Sequence, residues 1–227
     1  LRPSGHGIGR TSQELGKAFP GIPVVRADGE HRVERVGAQP ALVIATRGAE
    51  PVADGGYRAL LLLDGDRMLQ RPSLDALEDT LLAWESALAL LSPGAEAYLT
   101  DLTGPVATAM ASDSLEVLLL RELQQRQSLR MPPAIRVASV EGPLAVVEQL
   151  CEELCTDHPD VDQLGFRAAS ETTRRALLRM SYKAAPAIAR ELRARVIAHA
   201  LPGSRGGALR VHMDARRALD ELAESAQ

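Results

Sequence analysis

Two consecutive prolines, Pro132 and Pro133, divide this chain of 227 residues into halves of different periodicity. Neither proline has an N–H for a helix or a sheet ladder, and each pushes the residue before it out of helical geometry. Before them, short apolar runs alternate with helical stripes. After them the pattern reads β-α-β-β-α-β. Two domains are therefore expected, residues 1–130 and 131–227, with the prolines as an exposed linker or a rigid elbow.

In the first half, Thr11 or Ser12 caps a short helix running to Phe19, which Pro20-Gly21 stops. Ile22–Ala27 reads as a strand. Ala41–Ala45 and Ala59–Leu63 are uninterrupted apolar runs, as expected of strands buried on both faces of a parallel sheet. Leu74, Leu77, Leu81, Trp84, Leu88 and Leu91 form an amphipathic helical stripe ended by Pro93-Gly94. Ala97–Thr100 is a further strand, and Val106–Ala111 and Ser114–Arg126 are helices. Such alternation implies an α/β sheet domain.

In the second half, strands are expected at Ile135–Val140, Val161–Phe166, Arg174–Tyr182 and Leu209–Met213. Helices fall after Pro143, at Ala187–His199 and from Ala215 onward. This order is that of a split βαβ, or ferredoxin-like, α+β sandwich. Side chains alternate across a strand. Ala176, Leu178, Met180 and Tyr182 share one face, leaving Arg175, Leu177, Arg179 and Ser181 on the other. Leu209, Val211 and Met213 likewise oppose Arg210 and His212. The arginines are thus expected on the sheet face without helices.

Charge is distributed to match. The net charge is −4, yet Glu141–Asp162 holds seven acidic residues and no Lys or Arg. Arg167–Arg217 holds twelve basic and three acidic residues. That local excess is what a polyanion would feel. Candidate phosphate contacts are Arg175, Arg179, Lys183, Arg193, Arg205, Arg210 and His212, with Arg205 in the Gly-rich loop Pro202–Gly207. Aromatic residues make up only 3%, and the arginine-bearing strand faces have none, which disfavours base stacking and favours backbone contacts.

Other chemistries find no support. Cys151 and Cys155 lack the further ligands that zinc needs. Gly5-His6-Gly7-Ile8-Gly9 has neither Walker spacing nor a preceding strand and reads as a flexible connector. Asp64 and Asp66 lie at a strand end, where ligands bind in α/β sheets, but nothing nearby completes a metal site. The five histidines have no catalytic partners at recognisable spacing. No apolar run approaches the length of a membrane span, and the first residues carry no signal-peptide pattern, so a cytoplasmic protein is expected.

Several segments together resemble the primosomal protein N′ (PriA) family. Gly5-His6-Gly7-Ile8-Gly9-Arg10-Thr11, then Glu14-Leu15, Phe19-Pro20-Gly21 and Val24-Val25-Arg26-Ala27-Asp28, resemble the stretch after that family's zinc-binding insertion. Arg126-Gln127-Ser128-Leu129-Arg130-Met131-Pro132-Pro133 resembles its Arg-x-x-Leu-Gly-Tyr-Pro-Pro-Phe junction. Leu164-Gly165 and Val211-His212-Met213-Asp214 match later landmarks. The resemblance implies a RecA-like second helicase lobe in residues 1–130 and a DNA-binding C-terminal domain in residues 131–227.

Two helicase motifs depart from the family pattern. Where the family has Gly-Thr-Gln…Lys-Gly-His-Asp-Phe, this chain has Ala45-Thr46-Arg47-Gly48-Ala49-Glu50-Pro51. Where it has Gln-Val-x-Gly-Arg-Ala-Gly-Arg, this chain has Leu82-Ala83-Trp84-Glu85-Ser86-Ala87-Leu88-Ala89-Leu90. Arginines of that kind stabilise the transferring phosphoryl group, and none lies between Arg71 and Arg121. The expectation is a replication-restart, primosome-assembly protein acting at stalled forks without helicase activity, nucleoid-associated in the cytoplasm. Its implied partners are forked, single-stranded or duplex DNA, single-stranded-DNA-binding protein and primosome or helicase-loader proteins. No cofactor is expected in this chain, the family's zinc ligands falling before Leu1 and most of its ATP and Mg²⁺ site in the other lobe. Two alternatives stay open: an ATP-dependent 3′-5′ DNA helicase whose other lobe lies upstream, and an RNA-binding structural module.

Overall fold

The computed structural model describes residues 5–170, 172–200 and 207–225. The chain is mixed α/β and divides into two compact units, residues 1–71 with 75–102, and residues 72–74 with 103–227. The sequence reading set its division after Arg130. By contact, the helices that precede the prolines group with the second unit.

The first unit runs α1 (Gly5–Ala18), β1 (Val24–Ala27), β2 (Arg35–Val36), β3 (Leu42–Ala45), β4 (Val52–Ala53), β5 (Tyr57–Leu62), α2 (Gly65–Leu69), α3 (Ala76–Leu88) and β6 (Leu91–Leu99). Its strands form three parallel pairs, β1 with β3, β2 with β4 and β5 with β6. Helix α1 packs on β1 and β3, and α3 on β5 and β6. Gly56, at φ 77, is a required glycine: a Cβ there would come within 2.7 Å of the Ser92 backbone nitrogen.

Three expectations change here. The segment Gly5–Gly9, read as a connector, is the first part of α1, in which Ile8 is buried and the Ser12 hydroxyl donates to the Ile8 carbonyl. Strand β5 is not buried on both faces: α3 packs on the β5–β6 pair, while Leu61 is 60% exposed. The stripe is shorter than read. Leu74 precedes α3 and Leu91 starts β6, while Ala76, Thr80, Leu81, Trp84 and Ala87 supply the buried face.

The second unit runs α4 (Gly104–Ala111), α5 (Leu115–Ser128), β7 (Arg136–Pro143), α6 (Leu144–Asp157), β8 (Asp162–Ala168), β9 (Thr173–Met180), α7 (Ala185–Ala200), β10 (Arg210–Met213) and α8 (Arg216–Ser225). Four strands form one antiparallel sheet in the order β10-β7-β9-β8. Helices α6 and α7 bury Val147, Leu150, Leu154, Ile188 and Leu192 against Ala138, Val140, Ala176, Leu178 and Met180. The alternation read along β9 and β10 places those apolar residues inward, except Tyr182. That side chain lies beyond the strand end, exposed, with its hydroxyl donating to the Pro133 carbonyl.

The opposite face is not open. Leu219 of α8 packs with Val137 and Leu177, joined by Leu74, Met131, Ile135, Leu164 and Ala218. Leu177 is apolar among arginines because it lies beneath this helix. Of the two readings of the prolines, the exposed linker does not hold. Pro132 is buried, and its carbonyl accepts a hydrogen bond from Arg126. Helix α5 ends in a Schellman motif: Met131 N–H donates to the Arg126 carbonyl and Arg130 N–H to that of Gln127. Arg130 takes the left-handed position at φ 50, where the resembling junction has glycine.

Candidate nucleic-acid interface

Strand register builds the basic face. Arg210 pairs across to Glu141, Glu141 to Arg175, and Arg175 to Arg167, so these four side chains form one row over all four strands. Partners in register project from the same face. Glu141 sits between two arginines. Arg175 donates to it from Nε at 3.0 Å and from Nη2 at 2.8 Å, while Arg210 stands 3.5 Å away. From α8, Glu221 accepts from Arg175 at 2.6 Å, and its carbonyl accepts from Arg167 at 2.8 Å. The hydrogen bond to Glu141 is the largest influence raising the Arg175 pKa above its ordinary value. Burial opposes it, and the charges of Glu141 and Glu221 reinforce it.

A second group lies toward the other end of the same strands. Arg179 pairs in register with Asp162 and donates to its carboxylate at 3.1 Å and to the carbonyls of Leu129 and Arg130. Arg130 donates to the same Asp162 oxygen. Arg179 is thus tied to the end of α5. His212 is exposed and shares the face of Arg210, because it registers with Ser139.

The remaining candidates lie elsewhere. Lys183 is exposed in the turn between β9 and α7. Arg193 is exposed on α7, the helix whose Ile188 and Leu192 cover the opposite face, so the sheet layer separates it from Arg175 and Arg210. Arg205, with Pro202–Gly206, lies outside the described residues. Sequence reasoning missed Arg167, Glu141, Asp162 and Glu221. Arg167 sat in the basic segment, but its place in the row needed the register of β8 on β9.

In the first unit, a cavity of about 590 Å³ lies beyond the carboxyl ends of the parallel strands β1 and β3. Asp28, Arg32, Glu34, Thr46, Arg47 and Glu50 are among its lining. That is where open α/β sheets bind ligands. Asp28 is buried and accepts from the Glu30 and His31 N–H groups and from Arg26. Burial alone would raise its pKa, but these hydrogen bonds prevail and hold it well below the usual carboxylate range. Asp64 stands at φ 60 before α2, and Asp66 lies within that helix. Among the described residues no three His, Cys, Asp or Glu side chains cluster as a metal site, and no helix is long and apolar enough to cross a membrane.

No protein-family model matches the chain. Among curated proteins, the chain is 39% identical over 165 residues to one named probable replication restart protein PriA in Mycobacterium tuberculosis. That match covers 68% of this chain and 24% of the relative. A Mycobacterium leprae protein of the same name is 39% identical over 158 residues, 65% of this chain and 23% of the relative. The chain thus spans about a quarter of the length of these relatives. Over about two thirds of its own length, this chain is homologous to the replication restart protein PriA, as a counterpart of the C-terminal region of that family.

Proposed function

We propose that this chain is the DNA-binding part of a replication restart protein that acts at stalled forks, and that it contributes no motor of its own. The observation that carries the reading is the cross-strand row Arg210, Glu141, Arg175 and Arg167 on one sheet face of a PriA homologue. Guanidinium groups in a row, with few aromatics in the chain, suit phosphates rather than bases. The second unit fits a split βαβ, ferredoxin-like domain, supported by its β-α-β-β-α-β order and the strand order β10-β7-β9-β8. The first unit, with its parallel pairs, fits a RecA-like second helicase lobe. Forked DNA, single-stranded-DNA-binding protein and loader proteins are the partners this reading assigns, and the cytoplasm is its place.

Loss of the motor is supported by α3. The segment Leu82–Leu90, which stands where the resembling motif has two arginines, has none, and its Trp84 is only 2% exposed in a packed helix. The cavity beyond β1 and β3 favours a second reading, a working helicase lobe that completes an ATP site with another part of the protein. Binding and turnover separate the two. The intact protein should bind forked DNA in preference to structured RNA and show no DNA-stimulated ATP hydrolysis. DNA-dependent turnover well above background would favour the helicase reading, and preference for RNA would defeat both.

A further inference from the structure

We infer that helix α8 is a displaceable cover on the basic sheet face, an acidic segment that stands where a DNA phosphate chain binds and leaves when DNA arrives. The inference rests on the reading of this face as the DNA surface.

Helix α8 is poorly made to stand alone. It has ten residues, with no acidic residue in its first turn and no basic one in its last. Arg216 and Arg217 open it, while Asp220 and Glu221 follow, the reverse of what the helix dipole favours. Isolated helices shorter than roughly 12–15 residues are marginal in water. The helix therefore depends on its docking site.

That site holds it by an apolar anchor and by ions. Leu219 is buried, seated on Val137 and Leu177. Asp220 accepts from the Leu74 N–H at 2.8 Å and from the Ser73 hydroxyl at 3.1 Å. Glu221 engages Arg175 and Arg167. A phosphodiester oxygen is the same kind of acceptor as a carboxylate oxygen, an anion taking guanidinium N–H bonds. Exchange of Glu221 for phosphate keeps the hydrogen bonds of both arginines. Binding without exchange would set phosphate against Glu221, charge against like charge. The fold beneath survives removal of the cover, because the main core, under α6 and α7, lies on the other face.

Two measurements on the full chain test this. The first is hydrogen exchange of the α8 amides with and without forked DNA, with exchange in α8 expected to speed up on binding while that of β7 and β9 does not. The second is fork affinity of Leu219→Ala, a variant that loosens the cover without changing charge. If the docked form predominates, loosening should tighten binding by about threefold or more, since apparent affinity scales with the competent fraction. Exchange in α8 that is unchanged or slower with DNA bound, or a Leu219→Ala affinity equal to or weaker than wild type with sheet protection intact, overturns the cover. Failure of both proteins to bind DNA overturns the reading of the face itself. Binding by Leu219→Ala alone supports both.

Discussion

The guanidinium of Arg126 donates a 2.7 Å hydrogen bond to the backbone carbonyl of Leu74, 52 residues earlier in the chain. The same side chain donates to the Pro132 carbonyl at 3.1 Å and to Glu122 at 2.8 Å, and is only 6% exposed. From the other side, Asp220 receives the Leu74 N–H. The short segment Pro72–Leu74, which precedes α3, is thereby built into the second unit. This gives the arginine of the Arg-x-x-Leu junction a structural task. Its planar fork satisfies two carbonyls and a carboxylate at once.

Arg126→Ala should lower unfolding stability by about 3 kcal/mol, since each buried acceptor left without a donor costs roughly 1–3 kcal/mol. Arg126→Lys should recover only part of that, because an ammonium cannot reproduce the fork. Urea denaturation of the three proteins measures it. A midpoint for Arg126→Ala equal to wild type would show that water replaces the guanidinium without loss.

Asp28 should make stability pH-dependent in a defined direction. Its hydrogen bonds from Arg26, Glu30 and His31 favour the ionised form, so its folded pKa lies below its unfolded value. A carboxylate of that kind contributes stability in full above its unfolded pKa of about 4 and loses it as pH falls toward the folded value. Asp28→Asn should therefore be less stable than wild type at pH 7, and the gap should narrow once the pH drops below about 4. Urea midpoints of both proteins at pH 7, 5 and 3 check this. A gap that is the same at all three would contradict it.

Much of the second unit was legible because it rests on period. The alternation along Arg174–Tyr182 and Leu209–Met213 separates Ala176, Leu178 and Val211 from Arg175, Arg179 and Arg210, and the structure places them on opposite faces. What covers a face is not written in the period of its own strand. Leu219 is a buried apolar residue in a helix that also carries Arg216, Arg217, Asp220 and Glu221, and its landing on Leu177 depends on packing far along the chain. Glu141 stands 34 residues from Arg175, so their pairing required the register of β7 on β9. In the first unit, the run Ala59–Leu63 looked buried on both sides because apolar composition alone does not say which side has a partner. Leu61 faces outward opposite Tyr98, which is also exposed. The prolines misled for a related reason: a break in periodicity marks a change of element, whereas Arg126 decides that this break is buried.

The ion pairs also sort the arginines by role. Arg179 is held by Asp162 and two carbonyls and acts within the fold. Arg210 is 66% exposed at the end of its row, and Arg167 is exposed at the other end. Arg210 is the readier to meet phosphate, and Arg167 meets it once Glu221 of α8 gives way. The most direct measurement of the central claim is a salt titration of forked-DNA affinity for wild type against the double variant Arg167→Gln with Arg210→Gln. Each phosphate contact releases condensed counterions, so loss of two should flatten the log–log slope by roughly 1.4 units on single strands or 1.8 on duplex. Affinity should fall to a similar degree across DNA sequences, because phosphate contacts carry no base readout. Equal slopes for the two proteins would mean that this face is merely solvated and that DNA is held elsewhere.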